Sequence, residues 1–169
     1  MNNPLPPAFA PAKGAKNLAP QDRQESRMTI KKTASAHWSG GLKDGKGTIS
    51  TQSGALKDQP YGFNTRFEET HGTNPEELIG AAHAGCFTMA LSLILGEAGF
   101  TATALDTKAT VSLDRQDDGF AITKIHLDLT GTVPGADQAK FEELAGKAKA
   151  GCPVSKLFRA EITLSARLV

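Results

Sequence analysis

One long apolar segment near the middle of the chain, residues 73–99, most constrains what this sequence can fold into. Asn74 is a favourable N-cap, Pro75 suits the first helical position, and Glu77 completes a capping box. Gly99 suits the C-terminal end of a helix. Apolar side chains occupy nearly every face between these ends: Leu78, Ile79, Ala81, Ala82, Ala84, Phe87, Met89, Ala90, Leu91, Leu93, Ile94 and Leu95. The pattern predicts a helix that is buried in a core or against a partner.

The composition is typical of a globular protein large enough for one domain with a real core. Of its 169 residues, 39% are hydrophobic and 22% are charged, and the net charge is +1. A charge this small, without a basic block, argues against a nucleic-acid partner. No apolar run follows basic residues near the N-terminus, so we expect a cytoplasmic protein without a secretory signal.

The apolar part of the central segment, residues 78–95, has a borderline length for spanning a membrane. No aromatic belt or basic flank marks its ends. Small and polar residues also interrupt it: Gly80, His83, Gly85, Thr88 and Ser92. We therefore predict a core helix and no membrane partner.

The rest of the chain divides into a tail and one domain. Residues 1–27 hold five of the nine prolines and show no helical or strand period, which predicts a disordered tail. Residues 28–169 form the predicted domain. Its predicted elements are strands at 30–38, 46–52 and 60–68, the central helix, strands at 103–114 and 120–133, a helix at 137–150 and a strand at 160–169. This order predicts an α+β fold.

The two cysteines, Cys86 and Cys152, are the first candidates for chemistry. Neither lies in a CxxC pair, and two cysteines cannot build an all-cysteine zinc site. In a reducing compartment a permanent structural disulfide is uncommon. The remaining readings are buried inert thiols or a pair that cycles, and cycling requires the two Cα atoms to approach within about 7 Å.

Three further residues are candidates because of what they would do beside a thiol. His83 precedes Cys86 by three residues, so the two share a helix face and form a possible nucleophile–base pair, although a packed core histidine is the simpler reading. Arg66 could stabilise a thiolate, and Glu76 could hold that arginine. Taken alone, Arg66 reads as a solvated strand residue and Glu76 as a carboxylate favoured by the helix dipole.

Three stretches together are similar to one known family. Residues 72–92 read GTNPEELIGAAHAGCFTMALS, residues 60–68 read PYGFNTRFE, and residues 150–164 read AGCPVSKLFRAEITL. These motifs resemble the OsmC/Ohr family, and its OsmC branch in particular, over residues 28–169. The resemblance implies antiparallel β-sheets around a long buried central helix, in an intertwined homodimer.

The resemblance also implies an activity, that of a thiol-dependent peroxidase acting on organic hydroperoxides and less efficiently on hydrogen peroxide. By motif, Cys86 is the peroxidatic cysteine, Cys152 the resolving cysteine, Arg66 the active-site arginine and Glu76 the carboxylate that positions it. The family implies no metal or prosthetic cofactor and an external dithiol reductant protein of the lipoyl type.

The length of the central helix adds an expectation about assembly. Glu76 and Cys86 are ten residues apart in one predicted helix, or about 15 Å along its axis. A glutamate side chain does not span that distance, so we expect Glu76 to serve a Cys86 from a second chain. Four apolar side chains are candidate walls for an organic substrate: Phe63, Phe67, Phe87 and Met89.

Two rival functions remain open on the sequence. A hydrolase using Cys86 and His83 would turn over esters or amides and would leave Cys152 without a task. A stress-associated dimeric binding protein would use both cysteines as structural thiols, and neither would oxidise selectively.

Overall fold

The computed structural model of the protein describes residues 29–68 and 70–169. Residues 33–169 form one compact unit, and residues 29–32 ahead of it are exposed. The predicted tail, residues 1–27, lies outside the described residues, as does the predicted first residue of the domain, Met28.

The compact unit opens with a three-stranded antiparallel sheet, as predicted. Its strands are β1 (Ala34–Ser39), β2 (Lys46–Thr51) and β3 (Gln59–Tyr61), in the order β1-β2-β3. The rings of Trp38 and Tyr61 lie 5.5 Å apart. Gly47 is required beneath them, because a Cβ there would lie 2.3 Å from the Tyr61 ring and 2.8 Å from that of Trp38. All of β1 is exposed in the single chain, which leaves this sheet without a covering layer.

The predicted strand at 60–68 is wrong over most of its length. After β3 the chain turns into a short helix, α1 (Phe63–Phe67). The turn arises because the Thr65 hydroxyl accepts the Gly62 N–H at 2.8 Å, which caps the first helical turn. Arg66 therefore lies on a helix and not at a strand end.

The central helix, α2 (Pro75–Glu97), begins and ends as predicted. The Asn74 side chain accepts the Glu77 N–H at 2.9 Å. At the other end, Gly99 has φ +84, and its N–H donates to Gly96 while the Phe100 N–H donates to Leu95. This is a Schellman C-cap.

Within one chain, α2 is buried along one face only. That face carries five residues: Gly80, His83, Phe87, Leu91 and Leu95. The opposite face is exposed, including Met89 at 75% and Leu93 at 65%. Among the described residues, α2 is the one helix long and apolar enough to cross a membrane by length and composition. Its buried face packs into the core, as predicted.

The second sheet is mixed, which corrects the expectation of antiparallel sheets throughout. Its strands are β4 (Ala104–Gln116), β5 (Gly119–Thr132) and β6 (Glu161–Leu168). The first two form an antiparallel hairpin around a two-residue turn, and β6 pairs with β5 in parallel. The reason is the connection: two helices, α3 (Gln138–Gly151) and α4 (Pro153–Leu157), carry the chain back before β6 begins.

The hydrophobic core lies between the second sheet, α2 and α3. It is built from Phe87, Leu91 and Leu95 of α2, Leu127 and Leu129 of β5, and Phe141, Leu144, Ala145 and Ala148 of α3. Cys152 belongs to this cluster, and Cys86 packs against it. The core therefore brings the junction of α3 and α4 onto the middle of α2.

Candidate active site

The two cysteines meet at this junction. Cys152 Sγ lies 3.0 Å from Cys86 Sγ, and both residues are free thiols. Cys152 is fully buried, whereas Cys86 is partly exposed. The separation is about 1 Å longer than a disulfide bond of about 2.05 Å, so a small movement joins them.

Local sequence places Cys152 at a break between two helices. Its N–H donates to Ala148 and closes α3, and its carbonyl accepts from Lys156 as α4 begins. Pro153 prevents α3 from continuing and suits the first position of α4. Cys152 is thus fixed between the end of α3 and the start of α4, a short helix that the sequence analysis did not predict.

The two thiols have opposite pKa shifts within one chain. Burial raises the pKa of the Cys86 thiol, and contact with Cys152 raises it further. For Cys152, burial opposes ionisation, but the contact with Cys86, the N–H and hydroxyl of Ser155 and the N–H of Val154 together lower the pKa. Within one chain these shifts disfavour the thiolate at Cys86 relative to Cys152.

Arg66 and Glu76 form a second cluster. Arg66 Nη2 lies 2.5 Å from Glu76 Oε1, and Arg66 Nε lies 3.1 Å from Oε2. This two-point contact fixes the plane of the guanidinium. The Arg66 side chain remains 33% exposed and that of Glu76 14% exposed, so the pair still has an open side.

A buried threonine holds these two residues side by side. Thr65 donates its hydroxyl to the Thr73 carbonyl at 2.8 Å, and Asn74 donates its side-chain N–H to the Thr65 carbonyl at 3.3 Å. Gly72 permits the approach, because a Cβ there would lie 2.5 Å from Thr65 Cγ2. These contacts tie α1 to the start of α2. Thr65 was not predicted as a site residue. Its only signal in the sequence was its position between Asn64 and Arg66, eight residues before Thr73.

The structure thus brings the four candidate residues together as two pairs. Cys86 contacts Cys152, and Arg66 contacts Glu76. Glu76 and Cys86 lie ten residues apart on α2, or about 15 Å along its axis. One chain therefore carries two separate half-sites, defined here as the thiol half-site (Cys86 and Cys152) and the arginine half-site (Arg66 and Glu76).

A cavity of about 130 Å³ lies beside the arginine half-site. Aromatic side chains dominate its wall: Trp38, Tyr61, Phe63 and Phe67. Two of the four side chains predicted as substrate walls are therefore placed elsewhere. Phe87 is fully buried in the core, because it lies on the inner face of α2, and Met89 is exposed on the outer face.

His83 does not have Cys86 as its hydrogen-bond partner. Its Nε2 lies 2.8 Å from Ser155 Oγ, and its ring lies 5.5 Å from that of Phe158. Burial lowers the pKa of His83, which favours the neutral imidazole. Ser155, the partner of His83, was not predicted from the sequence, because their contact depends on how α4 docks against α2.

Among the described residues, no three His, Cys, Asp or Glu side chains are grouped as a metal site would require. The fold and the site define an α+β protein with two free thiols whose sulfurs lie 3.0 Å apart. Comparison with known proteins agrees: a family model described as "OsmC-like protein" matches residues 67–167. The chain belongs to the OsmC/Ohr family.

Relatives come from both branches of this family. The chain is 65% identical over 141 residues to peroxiredoxin OsmC of Escherichia coli K12, covering 83% of this chain and 99% of that protein. It is 30% identical over 123 residues to the organic hydroperoxide resistance protein OhrB of Bacillus subtilis, covering 72% and 88%.

Solved structures share the fold. The crystal structure of Bacillus subtilis OhrB aligns with a TM-score of 0.62 at 29% identity, covering 81% of this chain and 98% of that one. An organic hydroperoxide resistance protein OsmC from Legionella pneumophila aligns with a TM-score of 0.64 at 26% identity, covering 84% and 98%. The α+β fold expected from the resemblance is therefore confirmed.

Proposed function

We propose that this protein reduces organic hydroperoxides and, less efficiently, hydrogen peroxide. Its family makes it an enzyme of the cysteine-based peroxidase class, and relatives named for organic hydroperoxide resistance support the substrate class. The observation that carries the proposal is the 3.0 Å separation of the Cys86 and Cys152 sulfurs. Two thiols at that distance can store the two electrons that one peroxide consumes.

In the proposed reaction, the partly exposed Cys86 is the peroxidatic cysteine and the buried Cys152 is the resolving one. The Cys86 thiolate attacks one peroxide oxygen, the O–O bond breaks, and the alcohol leaves after taking up a proton. Cys86 becomes a sulfenic acid. Cys152 then displaces its oxygen as water and forms the Cys86–Cys152 disulfide.

The cation for the Cys86 thiolate comes, in this proposal, from the arginine half-site of a second subunit. Burial raises the pKa of Cys86 within one chain, and an adjacent guanidinium lowers the pKa of a thiol. Arg66 of the same chain is bound to Glu76, which lies ten residues from Cys86 along α2. A twofold pairing of antiparallel α2 helices would bring each arginine half-site to the other chain's thiol half-site.

The exposed face of α2 supports this homodimer. It is a stripe of small and apolar side chains, which comprises Ala81, Ala82, Gly85, Met89, Ser92, Leu93 and Gly96. Nothing lies within 4 Å of a Cβ built at Gly85 or Gly96, so another helix has room to approach closely. An open groove of about 480 Å³ between α2 and β4, lined in part by Glu76, adjoins this stripe.

The aromatic cavity supports a preference for bulky organic hydroperoxides. Phe63 and Phe67 pack with ring centroids 4.7 Å apart, and the Arg66 guanidinium carbon lies 5.4 Å from the Phe67 ring. An apolar substituent would occupy the cavity while the peroxide group faces Arg66. Cumene hydroperoxide should therefore react faster than hydrogen peroxide.

Turnover requires an external dithiol protein, which we propose to be of the lipoyl type, acting in the cytoplasm. Cys152 is fully buried, so the reductant attacks the Cys86 sulfur of the disulfide and releases the Cys152 thiolate. The second reductant thiol then frees Cys86. The electrons come from the dithiol, so the cycle uses no metal or prosthetic group.

Mass spectrometry of the reduced protein after one equivalent of cumene hydroperoxide tests this function. The proposal expects a Cys86–Cys152 disulfide. The Cys152→Ser variant should still oxidise once at Cys86 but lose multiple turnover, and Cys86→Ser should not react. Ester or amide turnover that survives Cys152→Ser would instead indicate a hydrolase. If Cys86 did not oxidise selectively, the result would favour the non-enzymatic binding protein.

A further inference from the structure

One aromatic side chain that the proposed mechanism does not use reaches the arginine half-site from the second sheet. Phe120 lies at the start of β5, beside the two-residue turn of the β4–β5 hairpin. Its ring centroid lies 5.6 Å from that of Phe67, with the two planes tilted by 45°. A tilted pair at this distance is a favourable aromatic contact. Phe67 is also a wall of the aromatic cavity, so the hairpin contacts a wall of the site that we assign to the substrate.

A β-bulge in the hairpin turns Phe120 toward α1. The pairing of β4 with β5 shifts by one residue between Ser112 and Leu113, which leaves Thr123 as the extra residue of β5. Because side chains alternate along a strand, this extra residue moves each β5 side chain between it and the turn to the opposite face. Without the bulge, Phe120 would share the outer face of the sheet with the exposed Lys124. The bulge therefore places Phe120 on the inner face, which α2 covers.

The ring of Phe67 needs support from outside its own helix. Phe67 is the last residue of α1, which has five residues, and the ends of helices fray. The residue is 42% exposed. Phe63, one turn earlier, contacts the ring at 4.7 Å between centroids, and Phe120 supplies a contact from a separate element. We propose that Phe120 is a positioning residue for substrate selectivity: by packing against Phe67 it holds the aromatic wall in place for the apolar part of an organic hydroperoxide.

This role rests on the peroxidase function proposed above and concerns its choice of substrate. A wall that is already in place loses less conformational entropy when an apolar group binds than a wall that must first be ordered. Hydrogen peroxide has no apolar group, so its reaction does not use the wall. Arg66 is held separately, by its two-point contact with Glu76. Loss of the Phe120 ring should therefore slow the reaction with organic hydroperoxides and spare the reaction with hydrogen peroxide.

Steady-state turnover with a saturating dithiol tests this role, with kcat/KM measured for cumene hydroperoxide and for hydrogen peroxide. For Phe120→Ala we expect kcat/KM for cumene hydroperoxide to fall about fivefold and that for hydrogen peroxide to keep its wild-type value. Phe120→Leu keeps a large apolar side chain and should recover most of the loss. Gln116→Ala is the matched control, because Gln116 lies at the same end of the hairpin but on the opposite face. It should change neither value.

A double-mutant cycle shows whether Phe120 acts through Phe67. Phe67→Ala should itself lower kcat/KM for cumene hydroperoxide, because it removes the wall. In that background Phe120→Ala should have little further effect, since the effects of two residues in contact do not add. The positioning role would be overturned by an equal fall for both peroxides in Phe120→Ala, by no fall for either, or by an undiminished further loss in the Phe67→Ala background.

The same measurements separate this role from the peroxidase function. If the wild-type protein turned over neither peroxide, the proposed function would fail, and the role of Phe120 would fail with it. If the wild type reduced both peroxides but Phe120→Ala left the ratio of the two kcat/KM values unchanged, only the role of Phe120 would fail. A ratio that falls in Phe120→Ala, recovers in Phe120→Leu and stays constant in Gln116→Ala is the expected result.

Discussion

At the scale of single residues, the proposed reaction depends on which of the two sulfurs ionises first. Within one chain the pKa of the Cys152 thiol is lowered, whereas burial raises that of the Cys86 thiol. In the proposed site a cation beside Cys86 offsets this effect, and the candidate is Arg66, which makes a two-point contact with Glu76. The proposed second subunit reverses the order of ionisation at the thiol pair.

Removal of the positive charge of Arg66 should change the pKa of Cys86 in a defined direction. Arg66→Met should raise the pKa of Cys86, because a neighbouring positive charge favours the thiolate. The rate of Cys86 alkylation by monobromobimane should then reach half its maximum at a pH higher by about 1 unit or more. Peptide mass spectrometry assigns the labelled cysteine across the pH series.

Arg167→Met serves as the control for this prediction, because it removes one exposed positive charge from β6. Its alkylation profile should match that of the wild type. An unchanged midpoint in Arg66→Met, or an equal shift in both variants, would show that Arg66 does not face the reacting thiol.

At the scale of elements, α2 has two faces with different tasks. The inner face packs against the core and carries His83, while the outer stripe is exposed in one chain. The outer stripe contains Gly85, where a side chain would meet nothing within the chain. Any penalty for filling that position must therefore come from a second molecule.

Gly85→Leu should break the dimer while the chain still folds. We expect monomers by analytical ultracentrifugation and loss of peroxidase activity. Helical circular dichroism should stay at the wild-type level, since leucine favours helix over glycine. Gly146→Leu on α3 is the matched control, because that glycine also has open space around its Cβ position. A Gly85→Leu dimer with full activity would contradict the helix pairing.

The surface of α3 gives a prediction on pH. Hydrogen bonds from Lys147 and Lys140 lower the pKa of Glu143 to about 2. A lowered pKa stabilises the fold above the unfolded value of about 4.3, and that stabilisation is lost as pH falls toward 2. Glu143→Gln should therefore be slightly less stable than the wild type at pH 7.

Urea unfolding at pH 7, 5 and 3.5 measures this difference, which should shrink between the last two values. Added salt at pH 7 should also reduce it, because the pair is exposed. A difference that stays constant over the whole pH range would show that the two lysines do not act through charge.

Sequence patterns predicted most elements because they are local signals. Asn74 and Gly99 mark the ends of α2, and the helix predicted at 137–150 corresponds to α3. The helix α1 was missed, because a threonine hydrogen bond to Gly62 overrides the strand pattern of an aromatic segment. The parallel pairing of β6 was missed as well, because alternation of side chains does not report strand direction.

The candidate site was likewise predicted only in part. Cys86, Cys152, Arg66 and Glu76 were identified from residue types and family resemblance, and the helix rise separated Glu76 from Cys86. The contact between the sulfurs depends on the docking of the α3–α4 junction onto α2. The partnership of His83 with Ser155 depends on that docking too, and sequence spacing contains neither.

At the scale of the whole molecule, the proposed enzyme is complete only as a pair of chains. Each chain carries an arginine half-site at the start of α2 and a thiol half-site near the middle of that helix. The exposed first sheet and the exposed stripe of α2 provide surface for the second copy. Dimerisation in this account both covers apolar surface and assembles the site.

Complementation between two inactive variants tests this claim most directly. Cys86→Ser lacks the nucleophile, and Arg66→Met lacks the cation, so each homodimer should be inactive. A mixed dimer would unite Cys86 of one chain with Arg66 of the other in one of its two sites. Variants unfolded and refolded together in equal amounts should then recover about a quarter of wild-type activity, because random pairing makes half the dimers mixed.

The measurement is cumene hydroperoxide turnover with a saturating dithiol, for each variant alone, for the two refolded separately and then combined, and for the co-refolded mixture. Activity near a quarter of the wild type is expected only in the co-refolded sample. No activity in a sample that demonstrably contains mixed dimers would contradict it, because Cys86 and Arg66 would then have to act within the same chain.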